Sequence, residues 1–334
     1  MNTATTTLDL SRWRAAPRGV QYRRWVIISA GLRHLYRLRF FKIILALAWC
    51  AGLAIALLSF AYGQFVTEGG WLETIAAQWG TRSTAMAKAT GAVILMYPDI
   101  CVGGFYTLVF WLHSYVALWF SLFALTALLP RLITRDRASN ALIGYLARPL
   151  TSGDYLLGKL GTIVGVLLCV WTGPLLFGWM LGLFFSPNLD FVIYSARALL
   201  DALLFNGIAI VSLSAIALGV SAISRTTRNT LLLWLGLWLI LGLLTIDPGN
   251  RKSVWFKRAS FTENLAEARI GILDPSTALL TAAADLPISN KDFVASLERE
   301  GNDVKSTDFK GALFSLGGFV LLSSFVFLRR IRPE

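Results

Sequence analysis

Apolar residues run almost unbroken through six stretches of the chain, roughly 41–62, 104–129, 160–184, 199–222, 230–246 and 311–328. About 20 residues of helix cross a hydrocarbon core of about 30 Å, so the pattern predicts six transmembrane helices. Ahead of them the periodicity changes. Trp25, Ile28, Leu32, Leu35 and Tyr36 fall on one side at helical spacing, and Arg23, Arg33, His34 and Arg37 on the other. This predicts an amphipathic helix over 22–40 lying in the membrane interface, its arginines reaching headgroups. Residues 1–21, rich in Thr, Ala and Arg and without periodicity, read as a mobile arm. The expected fold class is an all-α polytopic membrane protein. Spans one to five occupy 41–246, an extracytoplasmic segment 247–310, and the sixth span with a basic tail 311–334.

The polar connections differ in kind. The stretch from about 63 to 103 holds "EGGWLETIAAQWG", suited to a short interfacial segment. In "MYPDICVGG", Pro98 and the glycine pair predict a break before the second span. The segment 247–310 is too long and charged for a mere connection. Its apolar residues Trp255, Phe256, Phe261, Leu265, Ile270, Ile272 and Leu273 predict helical pieces on either side of Pro275, packed on the outer mouth of the bundle. A second, solvated helix is expected after it, capped by Ser289 or Asn290 and turning Phe293 and Leu297 inward.

Composition agrees with a bilayer: 334 residues, 56% of them hydrophobic and 15% charged, with a mean hydropathy of +0.62. The net charge of +12 would suit nucleic acid only as a basic patch on a soluble face. Here it flanks spans. The arm to Lys42, the loop 131–159, the turn holding Arg225 and Arg228, and the tail "RRIRPE" carry 19 Lys/Arg against four acids, whereas the alternate loops carry 12 against 14. The positive-inside rule therefore predicts cytoplasmic termini.

Other chemistry is sparse. Cys50, Cys101 and Cys169 read as small apolar residues rather than a disulfide framework. "YRRWVII" echoes a twin-arginine signal, but Arg33, Arg37 and Arg39 cut its apolar stretch short. His113, inside the second span, is expected to hydrogen-bond between helices, and Asp201 to begin the fourth span near the outer surface. Spans nearly free of ionisable groups argue against an ion-coupled transporter. Only His34 and His113 are present for histidine chemistry, which argues against a membrane-embedded enzyme.

One loop carries a motif. Gly153, Gly158 and Lys159 spell GxxxxGK, but Leu160 stands where a phosphate-binding loop needs a Ser or Thr for magnesium, and both flanks are membrane helices instead of a strand and a soluble helix. Read for helix periodicity, Ala138, Leu142, Tyr145 and Leu146 form an apolar stripe with Arg135, Arg137 and Asn140 turned elsewhere. Pro149 ends that helix, and "TSGD" supplies a cap for the next. A short amphipathic helix at about 137–147, exposed between two spans, has the form of a docking element.

In this order, "ITRDRASNALIGYLARPLTSGDYLLGK" resembles the loop between the second and third spans in permease subunits of type-2 ABC exporters. That loop runs Ile, two residues, Glu, Gly-Thr, Leu-Leu, Pro-Val/Ile-Ser-Arg, Tyr and Lys. The match falls at Ile133, Leu142, Leu146, Pro149, Thr151, Tyr155 and Lys159. Asp136 stands for the Glu, Asn140-Ala141 for Gly-Thr and Ser152-Gly153 for Ser-Arg. Weaker likenesses are "SAISRTTRNT" before the fifth span and "GILDPSTALL" before the last. The resemblance implies a permease in the inner (plasma) membrane, joined by a separate ABC ATP-binding subunit, a second permease chain, identical or related, and membrane lipids, with no nucleic acid. ATP and magnesium belong to the ATPase partner, and this chain binds no cofactor or metal. The residues implied for coupling are Arg135, Asp136, Arg137, Ala138, Leu142, Tyr145, Arg148, Pro149, Tyr155 and Lys159. Two alternatives stay open at this point: a membrane scaffold or assembly component without transport, and a membrane-embedded lipid-modifying enzyme.

Overall fold

The computed structural model describes residues 19–67, 69–134, 136, 151–184, 186, 190–224, 226–245, 254–278 and 308–331. Among them every regular element is helical: α1 (Val20–Tyr36), α2 (Arg39–Val66), α3 (Trp71–Gln78), α4 (Thr81–Met96), α5 (Pro98–Leu129), α6 (Ser152–Leu167), α7 (Gly173–Phe184), α8 (Asp190–Ile223), α9 (Thr227–Thr245), α10 (Val254–Ala259), α11 (Phe261–Ile272) and α12 (Phe309–Ile331). Pro130–Thr134 extends α5 in π-helical form, and Leu168–Thr172 joins α6 to α7 in the same way. Five segments among the described residues are long and apolar enough to cross a membrane: Arg39–Val66, Pro98–Leu132, Gly153–Phe184, Phe191–Ile223 and Phe309–Arg330. They correspond to predicted spans one, two, three, four and six. The predicted fifth is α9, a helix of 19 residues.

Helix α8 forms the centre. Of its most apolar stretch 67% is buried, against 17% for α12, which therefore stands at the periphery. Lipid tails are as apolar as leucine, so the helices cohere by close approach and interhelical hydrogen bonds rather than by exclusion of water. The α2–α7 seam shows this. A Cβ on Gly52 would lie 2.5 Å from the Pro174 carbonyl oxygen, and one on Gly178 2.6 Å from that of Gly52. Beside Gly182, the Tyr106 hydroxyl donates to Ser59 Oγ at 3.1 Å, which donates in turn to the Ile55 carbonyl at 2.9 Å. A π-turn displaces carbonyls from the regular ladder. In the α6–α7 junction the Trp171 carbonyl meets Nε2 of buried His113 at 3.2 Å, the interhelical hydrogen bond anticipated for that residue.

Several expectations are corrected. The glycine pair does not break the second span: Pro98 takes the first turn of α5, where its missing N–H costs nothing, and the helix runs through Gly103 and Gly104 to Leu129. The connection before it is two helices, with α4 packed through Gly91 onto the end of α2 and a Lys88–Glu73 ion pair of 2.9 Å between α4 and α3. Asp201 does not begin the fourth span. It lies eleven residues into α8, because the helix already starts at Asp190 and the stretch from Phe191 belongs to the apolar span. Nor does the outer segment only sit on the mouth. Phe261 packs its ring against Trp238 of α9 at 5.7 Å and Phe319 of α12 at 5.9 Å, both near the middle of their helices. The stripe Phe261, Leu265 and Ala268 is fully buried and draws α11 down into the bundle. The mobile arm (apart from its last residues), the coupling helix at about 137–147 and the solvated helix after Pro275 lie outside the described residues.

Candidate coupling site

The start of α6 is built by a capping box. Thr151 Oγ1 accepts from the Asp154 backbone N–H at 3.2 Å, while Asp154 Oδ2 accepts from the Thr151 hydroxyl at 2.7 Å and from its backbone N–H at 3.4 Å. Two of the orphan donors at the helix start are thereby satisfied. The other oxygen of Asp154 accepts from Arg24 Nε at 2.8 Å, so the same carboxylate fastens α1. Side chains of α1 then fill the notches left by glycines of α6: Ile27 lies against Gly158, Ile28 against Gly161, and Leu32 against Gly165. The face of α1 turned to protein is thus Arg24, Ile27, Ile28, Gly31, Leu32 and Leu35, and Trp25 is turned out, 60% exposed. This corrects the single apolar side drawn from periodicity, since Trp25 leaves it.

Asp136, just beyond the π-turn, closes onto α6 from the other direction. The Tyr155 hydroxyl donates to Asp136 Oδ2 at 2.7 Å, and Lys159 Nζ pairs with the same oxygen at 2.7 Å. Both charged side chains are mostly covered, 14% and 16% exposed, and Tyr155 is fully buried. Lys159 also stands 5.4 Å from the Tyr155 ring centroid. Above this junction α1, the end of α5 and α6 enclose a cavity of about 380 Å³ lined by His34, Arg131, Asp136, Tyr155, Lys159 and apolar neighbours. Three of the ten residues named for coupling are thus brought together: Asp136, Tyr155 and Lys159. Arg135, Arg137, Ala138, Leu142, Tyr145, Arg148 and Pro149 lie outside the described residues.

The GxxxxGK letters are helical from Ser152 onward. Gly158 is occupied by the contact with Ile27, and Lys159 by Asp136, so the motif resembles a phosphate loop in spelling alone.

A buried hydroxyl chain has no counterpart among the sequence motifs. Thr134 Oγ1 lies 2.9 Å from Thr230 Oγ1, which is 2.8 Å from Ser224 Oγ, and Ser221 Oγ donates to the Leu129 carbonyl at 3.3 Å. It ties the root of the coupling loop to the α8–α9 turn. Beside it Trp234 Nε1 donates to Thr126 Oγ1 at 2.9 Å. Small hydroxyl residues at span ends are too common to flag it. The spacing of Gly158, Gly161 and Gly165, small residues on one side of a membrane helix, is a legible sign of close helix approach.

Residues 42–287 match the family described as ABC-2 family transporter protein, well over half of the chain. The chain belongs to the ABC-2 transporter family. It is accordingly a multi-pass membrane permease, the transport component of an ABC transporter. No curated protein matches it.

Proposed function

We propose that this permease is the membrane half of an ATP-driven exporter, coupling hydrolysis by a separate ATP-binding subunit to substrate movement. The observation that carries the reading is the Asp136–Tyr155–Lys159 junction, which ties the two roots of the coupling loop together at one carboxylate. A push on the loop is thereby delivered to α5 and α6 as a unit, and through the hydroxyl chain to α8 and α9. ATP binding closes a dimer of ATPase chains, and that closure shifts the permease pair between inward- and outward-facing populations. ATP and magnesium reside on the partner. On this reading α9 is the fifth of six spans, both termini are cytoplasmic, the membrane is the inner (plasma) membrane, and α1 borders its inner surface with Trp25 toward the headgroups. The charge asymmetry of the short loops supports the orientation.

The test is Leu142→Pro in the complex co-purified with its ATPase. Proline in a helix interior costs about 3 kcal/mol or more locally. Substrate-stimulated ATP turnover should collapse while the permease remains inserted. Retained stimulation rejects the coupling role. Single cysteines near Asn188 and Asn290 should label from outside, and one near Ser139 only after permeabilisation. The isolated permease should bind no ATP; saturable binding abolished by Lys159→Ala would reverse that part of the proposal.

A further inference from the structure

Arg269 is the anomaly of the outer half. It belongs to the last turn of α11 and is 2% exposed, yet its guanidinium has no carboxylate partner among the described residues, and Nε has no hydrogen-bond partner. Its neighbours are aromatic: the Tyr115 ring centroid lies 3.6 Å from the guanidinium carbon and that of Phe205 5.4 Å. Tyr115 also offers its hydroxyl. Tyr115 and Phe205 stand near the middle of α5 and α8, so this cation is held far from either end of the bundle. A charge at that depth is expensive and marks a functional site by default. Ring contacts replace part of the hydration lost above the guanidinium plane. They do nothing for the in-plane N–H donors, those that take a carboxylate or phosphate in a two-pronged grip; the Tyr115 hydroxyl serves one of these, and Nε is left without a partner. A favourable place at a helix C-terminus explains a cation in a last turn but not its complete burial.

The position has an approach. A cavity of about 520 Å³ opens between α5, α8 and α11, lined among others by Gly104, Thr107, Arg197, Asp201 and Ile272. Tyr115 lies eleven residues beyond Gly104 on the same face of α5, and Phe205 four residues beyond Asp201 on the same face of α8. The cavity floor therefore points toward the Arg269 cage. Asp99, Asp201 and Asp274 line its walls against the single cation Arg197, so the lining is net acidic and an anion finds its favourable site only at the bottom.

We infer that Arg269, with Tyr115 and Phe205, is a binding subsite for the anionic headgroup of an amphipathic substrate, a carboxylate or phosphate carried on an apolar body. The inference rests on the permease reading and names its substrate class. The guanidinium holds the head, and the aromatic walls accept the adjoining apolar part. The site is closed in this structure, and opening it requires α11 to move relative to α5 and α8.

The experiment uses the full-length permease in neutral detergent with three probes: decanoate, short-chain phosphatidylglycerol and inorganic phosphate. The readout is the saturable rise in Tm. Wild type should respond to decanoate, to phosphatidylglycerol or to both. Arg269→Met should weaken the response about ten- to a hundredfold, as expected for loss of hydrogen bonds to a charged group, and Arg269→Lys should restore part of it. A response to phosphate equal to that of the amphipaths would overturn the amphipathic assignment in favour of a free anion. Unchanged affinity in Arg269→Met, or no saturable response to any probe, would overturn the site. Should Arg269→Met fail to fold, Asp201→Asn keeps the cage intact and should tighten binding; unchanged or weaker binding there counts against the proposal. Co-purification with the ATPase, measured separately, reports on the permease reading and is independent of these outcomes.

Discussion

The two ends of the permease manage their cations in opposite ways. At the candidate coupling site two cations are each matched to one carboxylate, Arg24 to Asp154 and Lys159 to Asp136, in pairs that join different elements. Around α10 and α11 one cation collects several partners. Arg258 at the end of α10 pairs with Glu267 at 2.6 Å and Asp308 at 3.0 Å and donates to Asn264 at 3.0 Å, binding α10 and α11 to the start of α12. Arg269, eleven residues on, meets two rings and the Tyr115 hydroxyl but no carboxylate among the described residues. Pairwise contacts between elements can be broken and remade singly, as a mechanical junction requires. A network around one residue holds three elements together at a single point.

That contrast can be broken experimentally. The largest effect is expected at the hub. Arg258→Met strands Glu267 in a covered position, 15% exposed, and should cost roughly 2–4 kcal/mol, read as a fall in Tm of the detergent-solubilised permease. Asp308→Asn removes only the exposed partner, 62% accessible, and should cost well under about 1 kcal/mol. Equal losses from the two would show that the network has no hub.

The next effect separates the glycines of the false nucleotide motif. A Cβ at Gly158 would meet Ile27 at 2.8 Å, so Gly158→Leu should lift α1 from α6 at about 1–3 kcal/mol and make α1 sensitive to protease. At Gly153 a Cβ meets nothing closer than 3.7 Å, and Gly153→Ala should raise stability by about 0.4–1 kcal/mol. A phosphate loop would lose function at both.

Asp136→Asn should come third. The amide oxygen can take the place of Oδ2 and accept from both Tyr155 and Lys159, so what is lost is the carboxylate's charge, about 1 kcal/mol of stability read as a small fall in Tm. Its signature is functional: ATPase stimulation should fall in a complex whose stability is nearly unchanged. The smallest effect belongs to Glu73, where the Lys88 hydrogen bond holds the carboxyl below the usual carboxylate range. Such a group stabilises above its unfolded pKa and loses that contribution as pH falls through its folded one. Because its partner Lys88 is 65% exposed, Glu73→Gln should leave Tm nearly unmoved near neutral pH, and a clear drop would show that α3 and α4 depend on the pair.

The amino-acid sequence makes these regions legible to unequal degrees. The long apolar runs announce helices, since a bilayer leaves the backbone no other partner than itself. Loop order places Asp136, Tyr155 and Lys159 in one site, although nothing in the letters says that a single carboxylate oxygen receives both. Periodicity assigns Trp25 to the wrong side of α1 because it reports apolarity without telling protein from lipid, and both are apolar. Gly103 and Gly104 suggest a break for a similar reason. Glycine is permissive, and the rest of α5 carries the helix through.

By itself the sequence determined what is local or compositional: helical spans of bilayer length, the capped start of α6, the basic character of alternate loops and the absence of a magnesium-binding hydroxyl after Lys159. The tertiary structure alone decided which partners those elements meet. Arg24 reaches Asp154 across 130 positions and Arg258 reaches Asp308 across 50. Along the chain Arg269 is one charge among many in the outer segment, and only the fold carries it between Tyr115 and Phe205. The cost of a charge depends on its surroundings, and no pattern along the chain records which side chains will surround it.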